Sequence, residues 1–150
     1  MTKEVPIDTT RAFPDPSVTV ESYRALQDAL IEAIEQPLAA IGADGRLLAG
    51  NAAYRREFER LYGVQLSIGD SIFAHCVRLP NEAERLQGLM GRALAGESFS
   101  ATAELGDPAF ARKLYHILLA PIPDPGGVVA SVAFASTDIT ERTRAESRLR

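Results

Sequence analysis

A chain of 150 residues, 46% of them hydrophobic, is long enough for one domain with a full core and too short for two of ordinary size. Its formal charge of -4 and pI near 5.2 leave no basic footprint for neutralising a phosphate backbone, so nucleic acid is not an expected partner. The lone cysteine, Cys76, has no internal disulfide partner, no apolar run nears the ~20 residues that span a bilayer, and the first residues lack the apolar segment of a secretory signal. The expectation is a cytoplasmic protein, with no membrane contact by this segment.

Residues 1–16 carry Pro6, Pro14 and Pro16 among polar side chains and read as a flexible tail. Residues 17–36 read as an N-terminal amphipathic helix, because Tyr23, Leu26, Leu30 and Ile34 recur every three or four positions, and Pro37 ends it. That stripe is either a cap packed on its own domain or a dimer seam. Residues 38–50 hold two short apolar runs around Asp44-Gly45, a pair suited to the positive φ of a tight hairpin. Asn51 then caps a helix with Tyr54, Phe58, Leu61 and Tyr62 on one face and Arg55, Arg56, Glu59 and Arg60 mostly outward, and Gly63 stops it. Residues 64–79 sustain no period and read as loop plus short helix. Residues 81–84, Asn-Glu-Ala-Glu, resemble a capping box opening a helix with Leu86, Leu89, Met90, Ala93 and Leu94 on one face, ending at Gly96.

Residues 98–105 alternate, with Phe99, Ala101, Ala103 and Leu105 facing one way, as in a half-buried strand. Gly106-Asp107-Pro108 breaks it, residues 113–122 form the next strand, and residues 123–127 turn the chain into a closing strand over 128–135. That last run is short, β-branched and uncharged, although periodicity alone does not separate it from a helix of that length. From Thr140 onward Glu, Arg, Ala and Leu favour helix, with Thr137 or Asp138 placed to cap it. A hairpin, a helical middle and a three-strand meander make an α+β fold whose sheet buries one face under the helices. Candidates to line a cavity there are Ile41, Phe58, Ile72, Phe73, Leu86, Met90, Phe99, Leu118 and Phe134, side chains that serve equally as core filling.

Catalytic and metal signals are weak. His75-Cys76 lacks further ligands at zinc spacing, and His116 sits mid-strand with no nucleophile beside it in sequence. No phosphate-cradling glycine loop or nucleophile elbow occurs, and Asp44, Asp70 and Asp138 each have a turn or cap role. The chain reads as a regulatory domain, not an enzyme.

Four segments in order carry a resemblance: Ala43-Asp-Gly-Arg-Leu-Leu in the hairpin, Asn51-Ala-Ala-Tyr at the next helix, Pro121-Ile-Pro-Asp-Pro-Gly-Gly-Val-Val before the last strand, and Asp138-Ile-Thr-Glu-Arg-Thr-Arg-Ala-Glu at its exit. Together they resemble a PAS domain, the sensory module of bacterial signalling proteins such as sensor histidine kinases. The resemblance implies a five-stranded antiparallel sheet with helices on one face, a core over 37–138, and the start of a C-terminal signalling helix over 139–150. It implies that Asp138, Ile139, Thr140, Glu141 and Arg142 form a signal junction, Asp138 making a polar contact at the sheet edge. A simple N-cap role for Asp138 is the alternative, and the two can coexist.

Function follows by the same resemblance: a sensory and dimerisation domain of a two-component type system, homodimeric through its N-terminal helix. It would relay the state of a small-molecule ligand or partner to an output domain, a histidine kinase or cyclic-dinucleotide enzyme, outside this chain. The alternative is a ligand-free protein–protein interaction module, for example in a transcriptional regulator. Ala74-His-Cys-Val-Arg does not match the flavin-binding cysteine stretch of the family, and the helix over 81–95 lacks the histidine that typically holds haem, so the cofactor is unknown. Ala49-Gly50 departs from the apolar or aromatic residues usual before the asparagine, and a glycine there suits a bulge or early bend.

Overall fold

A computed structural model describes residues 19–76 and 79–149, without the side chains of His75 and Cys76. The expected tail over 1–16 lies outside the described residues. The chain divides into two units, Met1–Ala33 and Ile34–Arg150. In the first, α1 (Val20–Ala33) starts where the Thr19 hydroxyl accepts a hydrogen bond from the Ser22 N–H at 3.1 Å, and none of its residues is buried. The helix stops three residues short of the expected Gln36, so Ile34 falls outside it. The carbonyls of Ile34 and Gln36 instead accept hydrogen bonds from the Asn51 side-chain amide, at 3.1 and 2.8 Å.

The second unit is built on one antiparallel sheet in the order β2-β1-β5-β4-β3. β1 (Leu38–Gly42) and β2 (Leu47–Gly50) form the expected hairpin, in which Gly45 takes φ 81° and a Cβ there would collide with the Phe73 ring. A bulge does occur in β2, but at Leu48, since Ala40 pairs Ala49 and Ile41 pairs Leu47; Gly50 pairs normally with Ala39. α2 (Ala52–Tyr62) runs from Asn51 to Gly63, whose φ of 70° closes the helix with its N–H on the Glu59 carbonyl. One short 3₁₀ turn, Phe73–Cys76, interrupts the following loop.

α3 (Pro80–Leu94) corrects the expected capping box: Pro80 occupies the first turn, the flanking Leu79 makes no side-chain cap, and Asn81 and Glu84 lie inside the helix. Proline starts a helix there because its φ is already helical and its missing N–H would have had no partner. β3 (Phe99–Leu105) and β4 (Lys113–Pro123) pair from Phe99 opposite Leu119 to Leu105 opposite Lys113. Pro121 and Pro123 therefore lie past the end of β3, where β4 needs no donor on that side. β5 (Val129–Asp138) continues beyond the expected Ala135, its last residues paired with His116 and Tyr115 of β4. α4 (Thr140–Arg148) follows directly.

The core lies on the inner face of the sheet. Ile41, Leu47, Tyr115, Ile117 and Val132 are at most 1% exposed, each hiding apolar surface at roughly 1.5–3 kcal/mol for a large side chain. Across it α2 lays an aromatic row, Tyr54, Phe58 and Tyr62, with ring centroids 6.2 and 4.7 Å apart, and Phe134 meets Tyr54 edge-on at 6.0 Å. No helix among the described residues is long and apolar enough to cross a membrane.

Candidate functional site

Between α2, α3 and the sheet lies a mainly apolar cavity of about 60 Å³. Ile41, Phe58, Ile72, Leu86, Met90 and Phe134 line it, together with Tyr54, Leu61, Tyr62, Leu105 and Leu119. Three expected lining residues are elsewhere. Leu118 is 47% exposed on the opposite face of the sheet, because its neighbours Ile117 and Leu119 take the inward positions of β4. Phe73 packs over Gly45, and Phe99 lies under the Arg92 guanidinium, 3.8 Å from ring centroid to carbon. His116, also outward, pairs in register with Thr102 and Thr137. The side chains of His75 and Cys76 lie outside the described residues, and no group of three or more metal-binding side chains occurs among those described.

The polar end of the cavity wall consists of Glu57, Tyr115 and Ser136. The Tyr115 hydroxyl donates to Glu57 Oε1, which also accepts from Arg60 Nη2 at 2.6 Å. The same Arg60 nitrogen reaches Asp138 Oδ2 at 3.3 Å. Arg60, expected outward, thus turns back to bridge α2 and the end of β5. Burial pushes the Tyr115 phenol well above its ordinary range, and the adjoining Glu57 carboxylate pushes it the same way. For Asp138 burial acts to raise the pKa, but the hydrogen bonds from Thr140 and the charges of Lys113 and Arg60 outweigh it, so the carboxyl sits below its ordinary value.

The N-cap position of α4 is held by Ile139, which makes no side-chain cap; Asp138, one residue earlier, accepts the Thr140 N–H on Oδ1 at 3.0 Å, while its Oδ2 faces Arg60. Thr137 does not cap; its hydroxyl accepts from the Gln36 amide at 3.3 Å. The buried Thr140 hydroxyl accepts from the Leu114 N–H at 2.9 Å, and the Ile139 N–H donates to the Leu114 carbonyl at 2.9 Å, so both extend the sheet ladder into the first turn of α4. Glu141 and Arg142 pair along the helix surface, with Arg144 at 3.9 Å and Glu146 at 3.2 Å, and Arg142 lines an open groove with His116, Thr137 and Ile139. Arg60 and Asp138 are 50% and 36% exposed, and a pair of that kind contributes at most about 1 kcal/mol. It can therefore be remade without unfolding the sheet.

Sequence reasoning missed a second buried centre. Glu82, 3% exposed, accepts from the Tyr62 hydroxyl at 2.7 Å, the Gly106 N–H at 3.2 Å and Arg112 Nη1 at 3.0 Å. This carboxylate ties the first turn of α3 to α2 and to the turn after β3, and Tyr62 carries the tie to the cavity wall. The available signal was position: an acid in the first turn of a helix faces free N–H groups, but nothing local shows that it is buried.

A family model described as "PAS fold" matches residues 31–144. The chain belongs to the PAS fold family. Among solved structures it is similar to the PAS domain of Bordetella pertussis BvgS, at 23% identity and TM-score 0.61, covering 85% of this chain and 93% of that one. An RNA-binding light-oxygen-voltage receptor is similar at 13% identity and TM-score 0.66, over 99% of this chain but 40% of the receptor. VqmA of Vibrio cholerae, in a complex with ligand and DNA, is similar at 17% identity and TM-score 0.62, over 83% of this chain and 57% of VqmA. These likenesses concern the PAS fold, and the chain spans only about half the length of the last two proteins. No curated protein matches it in sequence.

Proposed function

We propose that this PAS chain is a sensory module in which the occupancy of its cavity is passed to α4 through Glu57, Arg60 and Asp138, and from α4 to an output domain of the intact protein. The observation that carries this reading is that Tyr115 and Glu57 are at once cavity wall and partners of the joint. A ligand that engages Glu57 withdraws an acceptor from Arg60, and Arg60 shifts toward Asp138. Its leverage equals its differential affinity for the two arrangements. At about 60 Å³, the cavity has room for a few water-sized groups at ~10–15 Å³ each, far below the ~300 Å³ at which drug-sized pockets begin. The ligand is accordingly small, predominantly apolar and equipped with a hydrogen-bond donor. Native mass spectrometry of the purified protein tests this: a small added mass supports it, a large chromophore in the absorption spectrum speaks against a ligand of this size, and Glu57→Gln should weaken retention.

The same small volume favours a second reading, a PAS interaction module filled by its own side chains. Under that reading the protein carries no added mass, and small apolar molecules offered to the cavity leave the amide protection of α4 unchanged. In either case we place the pairing of two copies on α1, whose Leu26 and Leu30 are 56% and 59% exposed. Dimer dissociation is to be measured for the whole chain, for a truncation that removes residues 1–33 and so deletes α1, and for one that ends at Asp138; unchanged association without residues 1–33 removes the helical seam. A histidine kinase or a cyclic-dinucleotide enzyme is the output we favour, on the resemblance at Asp138-Ile139-Thr140.

A further inference from the structure

We propose that the groove between α4 and the start of β4 binds a small, multiply charged oxyanion of the phosphate type. The groove is open, about 580 Å³ in volume, and holds four cationic side chains, Arg112, Lys113, Arg144 and Arg148, against one lining carboxylate, Glu104. The chain as a whole carries -4, so this concentration of positive charge runs against the overall balance. Thr143 and Ser147 add hydroxyl donors to the same wall. On α4 these residues fall at helical spacing, 143 with 147 and 144 with 148, so one face presents two hydroxyls and two guanidinium groups.

The local carboxylates compensate that charge only loosely on the α4 side. Arg112 is committed to Glu82 at 3.0 Å and Glu104 at 3.3 Å. Arg144 reaches only Glu141, at 3.9 Å with both groups mostly exposed; Lys113 makes no direct ion pair among the described residues, its charge acting on Asp138 from a distance, and Arg148 makes none. Two arginines four apart on a nine-residue helix repel each other, and a helix that short is marginal by itself. An oxyanion between Arg144, Arg148 and Lys113 turns that repulsion into charge-assisted hydrogen bonds and clamps α4 to the sheet beside Thr140. The site thus offers a second input to the joint, separate from the apolar cavity and independent of whether that cavity takes a ligand. A volume of this order suits a small molecule, not a macromolecular surface.

Titration of the 150-residue chain with inorganic pyrophosphate, followed by amide resonances at constant ionic strength, tests the proposal. Saturable shifts are expected at residues 112–114 and 140–148. Sodium chloride matched in ionic strength should not reproduce them, because a screened surface charge responds to both salts alike. The double variant Arg144→Gln, Arg148→Gln should bind about tenfold more weakly or worse while keeping its melting curve, since both side chains are exposed. Lys113→Gln provides a second reading should the helix fray in the double variant. Non-saturating shifts, equal shifts with chloride, or undiminished binding by both variants would overturn the site.

Discussion

Asn51 offers the sharpest test of how the second unit is held together. Its side chain is fully buried; Oδ1 accepts the N–H groups of Leu38 at 3.1 Å and Tyr54 at 2.9 Å, and Nδ2 donates to the carbonyls of Ile34 and Gln36. One residue therefore caps α2, starts β1 and fixes the arm leading into the sheet. In Asn51→Ala the lost cap costs ~1 kcal/mol, and each of the other three groups left without a partner costs about 1 kcal/mol where water reaches it and more where it does not. The expected loss is about 3–5 kcal/mol, a large share of the 5–15 kcal/mol typical of a domain. Urea denaturation should show it as a midpoint lowered by roughly 1.5–3 M, for a slope of about 1.5–2 kcal/mol/M. Asn51→Asp separates the two halves of the role: it keeps the acceptor for the cap but turns a carboxylate oxygen toward two carbonyls. Hydrogen exchange should then find α2 protected and β1 exposed at its start. A loss under about 1 kcal/mol in the alanine variant would refute the reasoning, because the side chain would then be only a replaceable cap.

Glu82→Ala leaves the Arg112 guanidinium half-buried without its main partner and should cost about 3–5 kcal/mol in thermal or chemical unfolding, with Glu82→Gln in between. Leu119→Ala should cost about 2–5 kcal/mol, whereas Leu118→Asp on the outer face should stay within about 0.5 kcal/mol, and the same unfolding assay decides between them. Tyr115 has a raised pKa when folded, so its contribution to stability is complete below about pH 10, the unfolded value, and is lost as pH rises further. Absorbance at alkaline pH should show a late tyrosine ionisation that Tyr115→Phe removes. Asp138 has a lowered pKa, so its contribution is present above about pH 4 and fades as pH falls through the folded value; amide protection in α4 should follow that course and lose it in Asp138→Asn.

The order of elements was legible from the sequence because the physics that sets it is local. Asp44-Gly45, Asn51, Gly63 and the alternation from Phe99 to Leu105 each act within a few residues, and the structure places a turn, a cap, a stop and a strand at those positions. The passage from strand to helix around residues 138–140 was legible for the same reason. Which face of β4 is inward was not, since Leu114, Ile117, Leu118 and Leu119 leave no clean alternation and only packing under the helices selects Ile117 and Leu119. The polar connections depend entirely on tertiary structure: Tyr115 and Glu57 are 58 positions apart, Arg60 and Asp138 are 78 apart, and Glu82 and Arg112 are 30 apart. A charged side chain looks the same in a sequence whether it is solvated or buried, and only the fold that surrounds Glu82 with Tyr62, Gly106 and Arg112 decides that its charge is held inside.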